Sequence, residues 1–237
     1  MKNSMTMIFR SLTGFLLAAL VLASIGAAPS LMAEDNVLIF GDSLMKLVSR
    51  SLEKRMDSDS QLSGVSVVSI GSGLARLDLF DWEQKIGQAV AASKPKHAVV
   101  MIGANDNQPM MTAGGTVQLG TSEWLREYER RVGSMIEILR KGGVDKVIWI
   151  GLPDMRDAAL QTEVQRINEI IKKKAAASAA VEYLDATKLF STSPGKFSQY
   201  IIDKKTAMPV HVRAGDGVHL NRTGAEMLAD VVMEKLR

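Results

Sequence analysis

Four short stretches hold most of the side chains in this sequence that could do covalent chemistry. They are Gly41-Asp42-Ser43-Leu44, Gly71-Ser72-Gly73, Gly103-Ala104-Asn105-Asp106 and Asp216-Gly217-Val218-His219. Together they offer a hydroxyl nucleophile, glycines that let backbone approach a ligand, an amide donor and an acid–base pair. Acyl transfer through a serine needs an imidazole to take the hydroxyl proton and return it to the leaving group, and a carboxylate to fix the imidazole tautomer. The sequence has three histidines. Only His219 has an acidic neighbour at Asp-x-x-His spacing, which on a turn brings both side chains to one side. A tetrahedral intermediate also needs fixed N–H donors, each worth about 3–4 kcal/mol of barrier. The backbone N–H groups of Ser43 and Gly73 and the amide of Asn105 are candidates. Simpler roles compete: Ser43 as a helix N-cap, Asn105 as the residue of an Asx-turn.

The intervening sequence supplies elements that would bring these stretches together. Val37–Phe40 is a four-residue apolar run ending at Gly41, followed by helical spacing from Ser43 to Met56, so it reads as strand, turn, helix. Val65–Ile70 is β-branched and reads as strand two, Trp82–Ser93 as a helix broken by Lys94-Pro95-Lys96, and His97–Ile102 as strand three. Residues 103–121 form a long loop, a length uncommon unless functional. Its Met110 and Met111 suit either an apolar pocket wall or simple packing of the loop. Ser122 then caps a helix whose apolar face ends at Gly142-Gly143. Lys146–Ile150 is strand four, Ala158–Ala177 a helix, and Val181–Leu184 strand five. Phe197–Ile202 and Met208–Val212 are spaced to pair as a hairpin. Asn221 caps a last helix. Strands alternating with helices predict one doubly wound, flavodoxin-like α/β domain over residues 34–237, three α/β/α layers around a five-stranded parallel sheet. In such sheets ligands bind at the carboxyl ends of the strands, where the first three chemical stretches fall.

Bulk properties narrow the class. The chain has 237 residues, no cysteine and a net charge of +3. Without cysteine there is no disulfide framework, thiolate nucleophile or Cys-ligated metal. Residues 1–33 hold Lys2, Arg10 and no acid, so the remainder is balanced to within one charge. No basic stripe marks a nucleic-acid surface, and Lys172-Lys173-Lys174 reads as a solvated helix face. The basic start followed by the apolar run Ser11–Ala28 and a small residue at Ala33 reads as a signal peptide over 1–33, or as a retained anchor, since the run is just long enough to span a bilayer. Either way the expected location is the periplasm or outside the cell. There is no complete dinucleotide loop, Walker loop, His-Glu-x-x-His or Gly-x-Ser-x-Gly elbow.

The four stretches, in this order and at these strand ends, resemble the SGNH or GDSL hydrolase superfamily. The resemblance implies Ser43 as nucleophile, Asp216 and His219 as the other triad members, and an oxyanion hole of Ser43, Gly73 and Asn105. Strand two ends Gly71-Ser72-Gly73, so Gly71 is the alternative oxyanion donor. Ser72–Trp82, Trp124-x-x-x-Tyr128, Gly151–Arg156 and Val212–His219 are further similar to the bacterial branch catalogued as domain of unknown function 459, and that branch to exported domains that move acetyl groups on envelope glycans. The implied activity is cleavage of carboxylic esters, with no metal or organic cofactor. The expected partner is a small acyl ester or an acylated glycan, with the membrane met only through the N-terminal segment. A sugar hydroxyl in place of water would make the protein an O-acetyltransferase, for which Arg76, Arg156 and Arg213 would line a polymer cleft. A degenerate, non-catalytic envelope binding module is the remaining alternative.

Overall fold

The computed structural model describes residues 35–193, 195–203 and 206–237. The signal segment expected at 1–33 lies outside the described residues. Five strands, β1 (Asp35–Gly41), β2 (Leu62–Val68), β3 (His97–Met101), β6 (Lys146–Ile150) and β7 (Val181–Leu184), form a parallel sheet in the order β2-β1-β3-β6-β7. The apolar runs of the three central strands, β1, β3 and β6, are buried because helices cover both faces. The helix α1 (Met45–Met56) packs against α6 (Arg222–Leu236), whereas α2 (Trp82–Ser93), α3 (Ser122–Lys141) and α4 (Ala158–Ala176) pack against one another in sequence order. Trp82, Trp124 and Trp149 are fully buried. Among the described residues no helix is long and apolar enough to cross a membrane.

The order reverses at β1. The chain leaves β1 for β2 on one side and returns to β3 on the other, so the loops after β1 and β3 diverge and leave a crevice between them. Register keeps the three strand ends level: Gly41 pairs with Val68 on one side and with Met101 on the other. Three of the four chemical stretches therefore emerge side by side.

Several elements differ from the sequence expectation. Strand β2 lies about three residues earlier than the β-branched run suggested, stopping at Val68. Residues 103–121 are not structureless: β4 (Met110–Thr112) and β5 (Gly115–Val117) pair antiparallel within them. Met110 is fully buried there and Met111 exposed, so the pair does not form a wall; one packs the hairpin down. Thr121, not Ser122, caps α3, accepting from the Trp124 N–H at 3.2 Å. A one-turn helix α5 (Thr187–Phe190) follows β7. The expected late hairpin is present, shortened to β8 (Tyr200–Ile202) and β9 (Pro209–His211). Asn221 caps α6 as its sequence context implied.

Candidate active site

The turn after β1 is held by one carboxylate. Asp42 is fully buried; its Oδ1 accepts from Leu44 N, and its Oδ2 from both Gly103 N and Ala104 N, each at 2.9 Å. It thereby closes the crevice by tying the β1 turn to the β3 turn. Burial pushes its carboxyl up to about 6 in spite of the three N–H donors. The consequence for Ser43 is that it does not cap α1: no side chain caps that helix, whose cap position is Leu44. The hydroxyl is free for another partner.

That partner arrives from the far end of the chain. His219 Nε2 lies 2.8 Å from Ser43 Oγ, and His219 Nδ1 lies 2.7 Å from Asp216 Oδ2. Partial burial works against ionisation of Asp216, but the N–H groups of His219 and Val218, both on its Oδ1, and the imidazole outweigh it and hold the carboxyl at about 2. An ionised carboxylate only accepts, so Nδ1 carries the imidazole proton, and the Nε2 lone pair accepts from the Ser43 hydroxyl. This is the geometry of a general base on a serine, oriented by a carboxylate.

The candidate donors for a developing oxyanion lie on the turns after β1, β2 and β3. Among the described residues neither the Ser43 nor the Gly73 N–H is used by another protein group. Asn105 spends one amide hydrogen on Ser72 O at 2.9 Å, which fixes the plane of the Ser72–Gly73 peptide, and its second is uncommitted. Of the two candidate glycines, Gly73 is the buried one, and a Cβ there would sit 2.0 Å from Asp106 Oδ1; Gly71 is exposed, with open space where its Cβ would be. The close approach at Gly73 belongs to a second buried carboxylate. Asp106 accepts from Leu74 N (2.9 Å), Ala75 N (2.8 Å) and the Tyr128 hydroxyl (2.7 Å). Burial raises the Asp106 carboxyl and, with the charge of Asp106, lifts Tyr128 well above its ordinary range.

Arg131, which sequence reasoning left without a role, and Arg156 and Arg213, to which it gave a different one, complete the frame. Arg131 is buried on the inward stripe of α3 and donates to Leu74 O (2.6 Å), Ala75 O (3.0 Å) and Met111 O (2.7 Å). An arginine in register with Tyr128, Val132 and Met135 was the available signal. Arg156 and Arg213, expected to line a polymer cleft, differ: Arg213 is fully buried whereas Arg156 is exposed, and both guanidiniums lie over the Phe197 ring, at 4.7 Å for Arg213 and 4.8 Å for Arg156. Arg76 forms a local ion pair with Asp78 at 2.7 Å. Among the described residues no group of three or more His, Asp or Glu side chains is arranged to hold a metal ion.

The fold defined here is that of the SGNH hydrolases. A protein from Slackia heliotrinireducens assigned as an SGNH hydrolase superposes with a TM-score of 0.57 at 19% identity, over 86% of this chain and 100% of that one. The lipase Lip_vut3 from a goat rumen metagenome gives 0.55 at 13%, over 84% and 96%. A family two carbohydrate esterase from Clostridium thermocellum, in complex with cellohexaose, gives 0.53 at 12%, over 89% and 65%. No curated protein matches the sequence. Residues 36–235 match the family described as "Protein of unknown function (DUF459)", and the chain belongs to it.

Proposed function

We propose that the protein is an exported serine hydrolase that cleaves acyl esters, acetyl esters included, through an acyl-enzyme on Ser43. The observation that carries this reading is the unbroken contact from Asp216 through His219 to Ser43, at 2.7 and 2.8 Å. Ser43 Oγ attacks the ester carbonyl as its proton passes to His219 Nε2. Asp216 stabilises the imidazolium. The negative charge on the carbonyl oxygen is met by the N–H groups of Ser43 and Gly73 and the free amide hydrogen of Asn105. His219 then gives its proton to the departing alcohol. Water, deprotonated by the same imidazole, releases the carboxylic acid and restores the serine. The basic, apolar start of the sequence supports export to the periplasm or beyond.

The test is hydrolysis of a short-chain aryl ester by purified enzyme, with labelling of Ser43 by a fluorophosphonate. Activity and labelling are expected in the parent and absent in Ser43→Ala; an unlabelled parent without esterase activity would overturn the reading. One observation favours acyl transfer to or from an envelope glycan as a second reading. The Asp216 side chain is 49% exposed and that of His219 35%, so the site opens on the surface and could admit a polymer. Mass spectrometry of glycan acetylation in a deletion strain decides it: unchanged acetylation removes the glycan reading and leaves the esterase.

A further inference from the structure

The loop that carries Asp216 and His219 has no regular structure of its own beyond the single bridge between Arg213 and Leu220. Its backbone groups must still be paired where they are buried, and how they are paired decides how firmly the imidazole is held. The N–H groups of Val218 and His219 go to Asp216 Oδ1, at 2.8 and 3.0 Å. Ala214 N reaches His219 O at 2.8 Å, and Gly217 N reaches Ala214 O at 3.3 Å. The carbonyls of residues 215, 217, 218 and 219 meet two arginines. Arg156 Nη1 donates to Gly215 O at 2.9 Å, and the Arg156 backbone N donates to Gly217 O at 3.0 Å. Arg213 Nη2 donates to Val218 O at 2.9 Å, with Nε 3.4 Å from His219 O.

Neither arginine is anchored by a carboxylate contact among the described residues. Arg213 instead reaches across to the loop after β6, donating from Nη1 to Asp154 O at 2.8 Å. Asp154 is itself buried and held through its carboxylate by Gln161 and Ser191. One planar fork thus joins a loop fixed to the sheet to the loop that bears the base. Both guanidiniums share a third contact, the Phe197 ring, over which each lies. Gly217, at φ +79°, lies so close to Arg156 that a Cβ would come within 2.6 Å of the Arg156 Cβ, so the loop is drawn down onto this residue.

We propose that Arg156 and Arg213 are positioning residues for His219: two guanidiniums grip the carbonyls of residues 215, 218 and 219 and set the direction in which Nε2 is presented to Ser43. The grip depends on geometry more than on charge. Lysine is a single-point donor on a flexible stem and cannot bridge Asp154 O and Val218 O as the fork does. This inference rests on the hydrolase reading, because it presupposes that the His219–Ser43 contact is used.

The test compares Arg156→Lys and Arg213→Lys with the parent, with folding checked by circular dichroism and thermal midpoint. Arg156 lies nearer the surface, so its variant supplies a folded protein if Arg213→Lys does not fold. A misplacement of about 1 Å can cost 10²-fold in rate. The expected result is therefore a fall in kcat and in the fluorophosphonate labelling rate of Ser43 of roughly 10- to 100-fold, with KM for the aryl ester changed less than about threefold. A second readout does not need turnover: the proton NMR resonance of His219 Nδ1–H, bonded to Asp216, should shift or broaden in both variants. Folded Arg156→Lys with parental kcat and an unmoved resonance overturns the proposal, as does a loss confined to KM. If the parent neither hydrolyses nor labels, the hydrolase reading fails instead, and the resonance alone decides whether the arginines position His219.

Discussion

The two halves of the candidate site are built by different means. Ser43 stands on a turn that continues a central strand, and the turn is fixed from inside by Asp42, a fully buried carboxylate bonded to three backbone N–H groups. His219 stands on an irregular loop with half of its Asp216 partner in solvent, and the loop is fixed from behind by arginine side chains. The position of Ser43 is thus inherited from the sheet, and changing it disturbs the fold. The position of His219 is made locally, and changing it can leave the fold standing. Damage on the Ser43 side should appear in both stability and activity unless only the hydroxyl is removed. Damage on the His219 side should appear mainly in turnover.

The largest expected effect comes from removing the hydroxyl alone. Ser43→Ala should lower ester hydrolysis by about 10⁴-fold or more with the thermal midpoint within a few degrees of the parent; steady-state kinetics and a melting curve check both. Asp216→Asn should follow, lowering kcat by at least about 10²-fold, because the amide no longer holds the imidazole tautomer. Its melting curve should move much less than that of a substitution at Asp42.

The comparison is sharpened on the other side by Asp42→Asn. It leaves at least one N–H of Leu44, Gly103 or Ala104 facing an amide hydrogen, and should cost roughly 2–4 kcal/mol in urea unfolding. The penalty should depend on pH with a definite sign. The folded Asp42 carboxyl sits at about 6, above its ordinary 3.8, so the folded state binds a proton that the unfolded state releases between those values. The parent's stability from this group is therefore fully present below pH ~4 and lost as pH rises through ~6. Asparagine does not titrate, so the penalty measured at pH 4 should exceed that at pH 7, by up to about 3 kcal/mol. A pH-independent penalty would break the contrast between the two halves. The smallest effect is expected for Gly73→Ala: the added Cβ must displace Asp106, costing about 1–3 kcal/mol, and kcat should fall with it.

Much of this was readable in the sequence because the chemical stretches are local. Each is three or four residues long, and apolar periodicity places three of them at strand ends; parallel pairing of β1, β2 and β3 then needs no further information to bring them together. What holds them was less legible. Asp42 stands beside Ser43 in the first stretch, yet two of its three bonds go to residues 61 and 62 positions away. Its partners are backbone N–H groups, which every residue but proline possesses, so nothing in their sequence marks them. Asp106 and Arg131 were hidden for the same reason: their partners at Leu74, Ala75 and Met111 are main-chain atoms. Arg213 read as a cleft-lining cation because arginines are mostly exposed. The carbonyls that draw it inward, and that Arg156 meets from the surface, come together only once the loop is closed. The β4–β5 hairpin escaped because three-residue strands are too short to show a period.

Ser43 and His219 are 176 residues apart in sequence, and the loop bearing His219 directly precedes α6, whose docking onto α1 is secured in part by Arg55 reaching Asp230 and the carbonyl of Glu226. Closure over such a distance pays its loop entropy before its contacts reward it, which makes it intrinsically slow. Ser43 is consequently placed by the turn after β1 and meets its imidazole only across this closure. In a partly folded molecule with α6 undocked, Ser43 lacks its imidazole partner, so under the proposed mechanism it does not react.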